Sequence, residues 1–249
     1  MNEKLGEIGR NNFGTEMKII RYGNYDDIDV QFLDDYYYVY HNTTYGNFKN
    51  GCIKNPYDKS VFGIGCVGDG KYLTRENGIN TIHYNTWHDM LKRCYNEGSK
   101  DKFPAYFGIC KVCNHWLNMQ NFSEWFDEKK YECGERLHID KDILYVGNKI
   151  YSKDTCILVP QRINMLFMNK PNRFGLPNGI SPMANGRYSV KYNGKLIGNT
   201  DSLEEAVIMH EVERQKAVIR ITKEYKEILP VDVYDALMGW KPVYNNKIA

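Results

Sequence analysis

Four side chains between positions 138 and 164 have the types and spacing for metal-assisted hydrolysis: His138, Asp140, Lys141 and Asn164. His138 and Asp140 stand two residues apart in an alternating apolar run, so on a strand they project from one face. Asn164 follows Pro160 by four residues, and proline suits the first turn of a helix. A strand carboxylate and a helix amide can hold a hard cation, Mg²⁺ or Mn²⁺, whose other positions go to water and phosphate oxygens. Either His138 or Lys141 would then activate water or clamp phosphate. A lysine ammonium becomes a base only where burial lowers its pKa by several units, which leaves phosphate binding as its simpler use. A lone histidine on a strand equally suits the edge of a core.

A second set lies further along the chain. In Arg187-Tyr188-Ser189-Val190-Lys191-Tyr192, strand alternation puts Arg187, Ser189 and Lys191 on one face and Tyr188, Val190 and Tyr192 on the other. Lys195 and Arg173 could extend that basic face. Arginine can read guanine edges bidentately, whereas lysine mostly meets phosphate. Without such a partner the face is simply solvated. Cys110-x-x-Cys113 is the one closely spaced cysteine pair, and no second pair stands at similar spacing. The pair is therefore expected to pack near Trp116, with no structural zinc. The glycine run from Gly63 to Gly70 lacks a following Lys-Ser/Thr, so it is a linker or a tight crossing and not a phosphate loop.

The elements that must position these residues are short. The chain has 249 residues, 33 Lys+Arg against 31 Asp+Glu, a hydrophobic fraction of 42% and 20 tyrosines. Residues 1–75 carry 9 basic and 10 acidic groups, 76–170 carry 13 and 12, and 171–249 carry 11 and 9. A nucleic-acid surface would have to come from local clustering, because no segment is strongly basic. No window approaches the roughly 18 apolar residues of a membrane span, and seven cysteines without framework spacing suit a reducing compartment. A soluble cytoplasmic protein with no membrane partner is the expectation.

The reading is α+β, in three modules. Residues 1–75 form a small β-rich domain, with strands over 17–22, 28–32 and 36–40. Its Tyr36–Tyr40 run, with Tyr45 and Phe48, could stack bases, but neighbouring strand positions face opposite ways and core packing is expected; the block could also dock a protein. In residues 76–170, Trp87, Met90, Leu91 and Cys94 make a helical stripe, as do Phe122, Trp125 and Phe126. Strand, loop, strand and helix then follow over 137–168. Residues 171–249 give three strands, a hairpin turn at Asn193-Gly194, and one helix opened by a Ser202/Glu205 capping box.

The segment Ile139-Asp140-Lys141-Asp142-Ile143-Leu144, with Gly147 to Ser152 and Cys156 to Asn164, resembles the HNH-like (ββα-metal) endonucleases of phages of low-GC bacteria. Trp87-x-x-Met90-x-x-Arg93-Cys94-Tyr95, Val112 to Trp116 and Asn121 to Trp125 are similar to the stretch preceding that motif in the same group. Gly186 to Val190, Asn193-Gly194-Lys195, Ile197-Gly198 and Ser202 to Ala206 resemble the DNA-binding domain of plant ethylene-response factors, which recurs beside HNH motifs. The resemblance covers about residues 81–240. It implies a central ββα-metal unit that cleaves double-stranded DNA with Mg²⁺ or Mn²⁺ held by Asp140 and Asn164. It also implies a C-terminal sheet lying in the major groove through Arg187, Ser189 and Lys191. Two departures stand out: Lys141 occupies the place of the family's general-base histidine, and Cys156 that of its middle asparagine. They leave open a second reading, a catalytically degenerate HNH-like binder acting as a counter-defence (anti-CRISPR-like) inhibitor of a host protein or ribonucleoprotein complex.

Overall fold

A computed structural model describes residues 3–168 and 171–242. The fold is α+β, with helices and several small antiparallel sheets. Its contacts divide the chain into two compact units, Met1–Phe126 and Asp127–Ala249. This partition differs from the three modules read from sequence: a shared helix, described below, joins the ββα unit to the C-terminal sheet, while Gly65 packs on Trp87 and Leu91 and Gln120 bonds Val67 and Tyr72 within the first unit.

In the first unit, β1 (Ile8–Arg10), β2 (Glu16–Asn24), β3 (Asp27–Phe32) and β4 (Val39–Thr43) pair in that order. Alternation along β2 and β3 buries Met17, Ile19, Ile28, Val30 and Phe32. Helix α1 (Tyr45–Lys49), capped by the Thr44 hydroxyl, adds Phe48 to that core. The strand expected over 36–40 begins only at Val39. Asp34 accepts the N–H groups of Tyr36 and Tyr37, and Tyr37 has a φ of 49°, so a side-chain-held turn takes the first three positions.

A short hairpin, β5 (Arg75–Glu76) with β6 (Ile79–Asn80), precedes helix α2 (Ile82–Tyr95). Trp87, Met90, Leu91 and Cys94 of α2 are buried as their spacing requires. The Trp87 indole N–H donates to the Trp116 carbonyl at 2.7 Å. After the two-residue strand β7 (Lys111–Val112) comes α3 (Met119–Lys129), whose residues up to Phe126 belong to this unit. Phe122 and Trp125 pack on Trp116 with ring centroids 5.3 and 4.5 Å away. The glycine run is a tight crossing: a Cβ on Gly65 would stand 2.5 Å from Leu91 Cδ1. Cys110 is buried, Cys113 half-buried, and all seven cysteines are free.

The second unit opens with β8 (Leu137–Asp140), followed by β9 (Ile150–Tyr151) and β10 (Ile157–Pro160). Strand β10 pairs antiparallel with β8, placing Val159 opposite His138 and Ile157 opposite Asp140. Helix α4 (Gln161–Asn164) and a 3-10 turn at Met165–Phe167 complete a ββα unit. Then β11 (Ile180–Pro182), β12 (Tyr188–Tyr192) and β13 (Lys195–Thr200) make a three-stranded antiparallel sheet. Asn193 and Gly194 both have positive φ, as a tight hairpin turn demands. Helix α5 (Leu203–Glu224) starts at Ser202, whose hydroxyl accepts from Glu205 N–H, while Thr200 donates to the Glu205 carboxylate.

Helix α5 serves both modules. Its Ala206 is buried with Ile180 and Val190 of the sheet, and Val207 and Met209 pack there. Its Val218 and Ile221, with Tyr225 at its C-cap, join Ile143, Ile157, Val159 and Ile163 of the ββα unit. A further helix, α6 (Val231–Gly239), adds Val233 and Leu237 to that second core. Sequence periodicity announces only one helix after the sheet; Pro230 sets the start of this second one, whose apolar face is too short to stand out. Among the described residues no helix is long and apolar enough to cross a membrane.

Gly179 has a φ of +96°, and a Cβ there would run into the Lys191 carbonyl oxygen. Gly179→Ala should therefore lower stability by about 2 kcal/mol or more in urea unfolding. Gly186→Ala, also at positive φ but in open space, should cost less.

Candidate functional site

Strand pairing and the helix that follows bring two of the four candidate residues together. The Asn164 amide nitrogen lies 3.2 Å from His138 Nδ1, with strand β8 supplying one partner and α4 the other. Val159, paired with His138, continues through Pro160 directly into the helix, so the short connection fixes the meeting. Glu135 anchors the same helix: its Oε2 accepts Arg162 N–H at 2.9 Å, and its Oε1 accepts the Tyr225 hydroxyl. A carboxylate suits a helix N-terminus, where backbone N–H groups lack partners.

Asp140 shares the strand face of His138, as its spacing implies, but its carboxylate turns into the loop. Oδ1 accepts the N–H groups of Asp142 and Ile143 at 2.7 and 2.8 Å. Burial pushes this carboxyl up to about 6, against the lowering effect of those two N–H groups. Oδ2 has no hydrogen-bond partner among the described residues, so one oxygen remains for another ligand.

Lys141 does not join them. Its side chain is buried, and its ammonium donates at 2.7 Å to Asp142 Oδ2 and at 2.7 Å to the Asn148 carbonyl. An ammonium so engaged neither meets a phosphate nor offers a lone pair to water. The expected role as base or phosphate clamp gives way to one in loop architecture. Asn148 completes the brace: its amide donates to the carbonyls of Lys141 and Ile150, and its Oδ1 accepts Ile150 N–H. Asn148, Asp142 and Glu135 went unread in the sequence. Only the Gly147-Asn148 turn signal could have pointed to the first of them. Cys156 is buried, and burial pushes its thiol up to about 12, so it stays a neutral packing group.

A divalent cation is the group that the resemblance implies, and the donor set fits it in a restricted way. Among the described residues no cluster of three or more His, Cys, Asp or Glu forms a cage. A hard cation held chiefly by substrate phosphate and water needs as little as one carboxylate, and Asp140 Oδ2 can supply it. Asn164 has one amide oxygen for two tasks. If that oxygen faces the cation, the amide nitrogen donates to His138 Nδ1, and the imidazole proton sits on Nε2. If the amide is turned, its oxygen accepts from Nδ1–H and Nε2 is the unprotonated ring nitrogen. Only the second arrangement makes His138 a base, so orienting the imidazole and ligating metal exclude one another.

On the C-terminal sheet, Ser189 and Lys191 lie on the face away from α5, opposite Asn199 and Leu196 of β13. Arg187 joins their edge but is tied down: Nε lies 2.8 Å from Asp201 Oδ1 and Nη2 donates to the Asn199 carbonyl at 3.3 Å. Lys195 is exposed beside the hairpin turn. Arg173 is exposed too, with its guanidinium 4.7 Å from the Phe174 ring centroid. A cavity of about 390 Å³ lies apart from both sets, between Cys156–Leu158 and the start of α6.

Comparisons of the chain with protein-family models, with curated proteins and with solved structures return no match.

Because Asp140 holds its proton to about pH 6 when folded and to about 4 when unfolded, its burial costs stability above that window. The Asp140 contribution to stability in metal-free buffer should fall as pH rises from 4 to 6, opposite in sign to that of Asp29 and Glu7, whose ion pairs hold their carboxyls below the ordinary range. Asp140→Asn keeps the turn-holding oxygen and removes the charge. It should flatten that slope and gain about 2–3 kcal/mol at pH 7.5 by urea unfolding.

Proposed function

We propose that this chain is a phage-type, DNA-binding HNH-like endonuclease that hydrolyses phosphodiester bonds with Mg²⁺ or Mn²⁺, acting in the cytoplasm of an infected bacterium. The observation that carries the reading is the 3.2 Å approach of Asn164 to His138 on a ββα unit that also holds Asp140. Asp140 Oδ2 would hold the cation, with Asn164 as a second oxygen donor only in the amide orientation that forgoes base catalysis. The cation would polarise the scissile phosphate and offset its charge. His138, with Nδ1–H held by the turned Asn164 amide, accepts the proton of the attacking water at Nε2. The exposed face bearing Ser189 and Lys191, with Arg187, Lys195 and Arg173 around it, binds the duplex. Lysines there contact phosphate, and Arg187 contacts a base edge on exchanging its Asp201 partner for nucleic acid.

A second reading is favoured by Lys141, whose place in the resembled motif belongs to the base and which here is a buried brace. On that reading the scaffold is a non-enzymatic counter-defence binder of a host nucleic-acid-targeting complex.

Plasmid nicking separates the two. With Mg²⁺ or Mn²⁺ the purified chain should nick supercoiled DNA, and His138→Ala should slow this about 100-fold or more. Asp140→Asn should abolish nicking while leaving duplex binding intact. Lys191→Ala should weaken binding and flatten its salt dependence by about one unit of slope. Duplex binding without nicking in either metal removes the hydrolytic reading and leaves the binder.

A further inference from the structure

The first unit holds an arrangement that DNA hydrolysis does not use. The Lys4 ammonium lies 3.8 Å from the ring centroid of Tyr45, 5.6 Å from that of Tyr22 and 5.8 Å from that of Tyr25. The rings are not stacked. Tyr22 and Tyr45 meet at 74° with centroids 6.2 Å apart, and Tyr25 and Tyr45 at 62° with centroids 5.7 Å apart. Three rings at steep angles around one point make walls, and each presents its electron-rich face to the cation between them.

The fold prepares these walls independently of their occupant. Tyr22 belongs to β2, Tyr25 to the β2–β3 turn, and Tyr45 opens α1. Tyr45 N–H donates to the Tyr25 carbonyl at 2.8 Å, and Tyr22 and Tyr45 pack against the sheet core. Glu7 adds negative charge at the rim: its Oε2 accepts the Tyr45 hydroxyl at 2.9 Å and its Oε1 lies 3.0 Å from the Lys49 ammonium. Tyr25 is 54% exposed, so the cage has an open side.

We propose that Tyr22, Tyr25 and Tyr45 form an alkylammonium-binding site, occupied by the chain's own Lys4 and able to take the cationic group of an external ligand when Lys4 withdraws. The ligand chemistry follows from the walls. Ring faces attract a cation without offering it hydrogen-bond acceptors as strong as water. A strongly hydrated primary ammonium therefore gains less than a methylated one, which has fewer N–H groups to satisfy. The site thus suits a quaternary ammonium, carried either by a small molecule or by a methylated lysine of a partner protein. Lys4 is a resident competitor that lowers the apparent affinity for either.

Titration of the full chain with tetramethylammonium chloride tests this, read by tyrosine ring proton shifts against sodium chloride at equal ionic strength. Lys4→Met should bind saturably and about tenfold more tightly than the unaltered chain. Adding Tyr25→Leu to Lys4→Met should undo that gain, and the exposed position leaves the melting temperature a clean control for folding. Lys4→Gln serves the same purpose if Lys4→Met does not fold. A trimethyllysine peptide that outcompetes both tetramethylammonium and its unmethylated counterpart identifies a protein source, and equal binding of the two quaternary probes identifies a free cation. Absence of saturable binding to the Lys4 variants, or undiminished binding after Tyr25→Leu, overturns the proposal. Neither result bears on plasmid nicking.

Discussion

Helix α5 buries two separate apolar sets along one length, and the second unit depends on it. Near its start, Ala206 fills the underside of the three-stranded sheet; towards its end, Val218, Ile221 and Tyr225 cover the ββα unit. Neither a two-stranded ribbon with a four-residue helix nor a three-stranded sheet alone encloses enough apolar area to stand by itself. The C-cap of the same helix, Tyr225, reaches with its hydroxyl to Glu135, 90 residues away in sequence, where that carboxylate holds the first turn of α4. The meeting of His138 and Asn164 therefore rests on a helix that touches neither of them through a catalytic group.

The loop between β8 and β9 shows how a charge can be kept inside. Taking an ammonium out of water costs several kcal/mol unless it is paired and its donors are satisfied. Lys141 has the Asp142 carboxylate and the Asn148 carbonyl, and Asn148 in turn ties down the backbone at Lys141 and Ile150. Asp140 closes the other end by accepting two backbone N–H groups. The residues that looked most reactive in the sequence, Asp140 and Lys141, are thus largely spent on shaping the loop, while His138 meets Asn164 across the strand-to-helix corner.

Much of the fold was legible because it is periodic or locally encoded. The Trp87, Met90, Leu91, Cys94 stripe, the Asn193-Gly194 turn and the Ser202/Glu205 cap each follow from rules that act within a few residues, and each is present. The β8-to-α4 order was legible for the same reason. Partner choice was not. Spacing showed that His138 and Asp140 share a face, yet it could not show that the Asn164 amide would meet the imidazole while Asp140 turned back to its own loop. Strand propensity favoured the Tyr36–Tyr40 run, and one carboxylate, Asp34, overrode it by capping a turn. Helix α6 was missed because its stability comes from the core beneath it, which sequence periodicity over nine residues does not reveal.

A helix used as a shared strut also sets a phase. Each residue of α5 advances the axis by about 1.5 Å and turns it by about 100°. The sheet's outer face and the His138 edge are consequently locked in angle as well as in separation, like two cams on one shaft. Inserting or removing a single residue between Met209 and Val218 would swing one module a quarter-turn or more around the other, keeping the packing of Ala206 at one end and of Val218 and Ile221 at the other while aiming them in different directions.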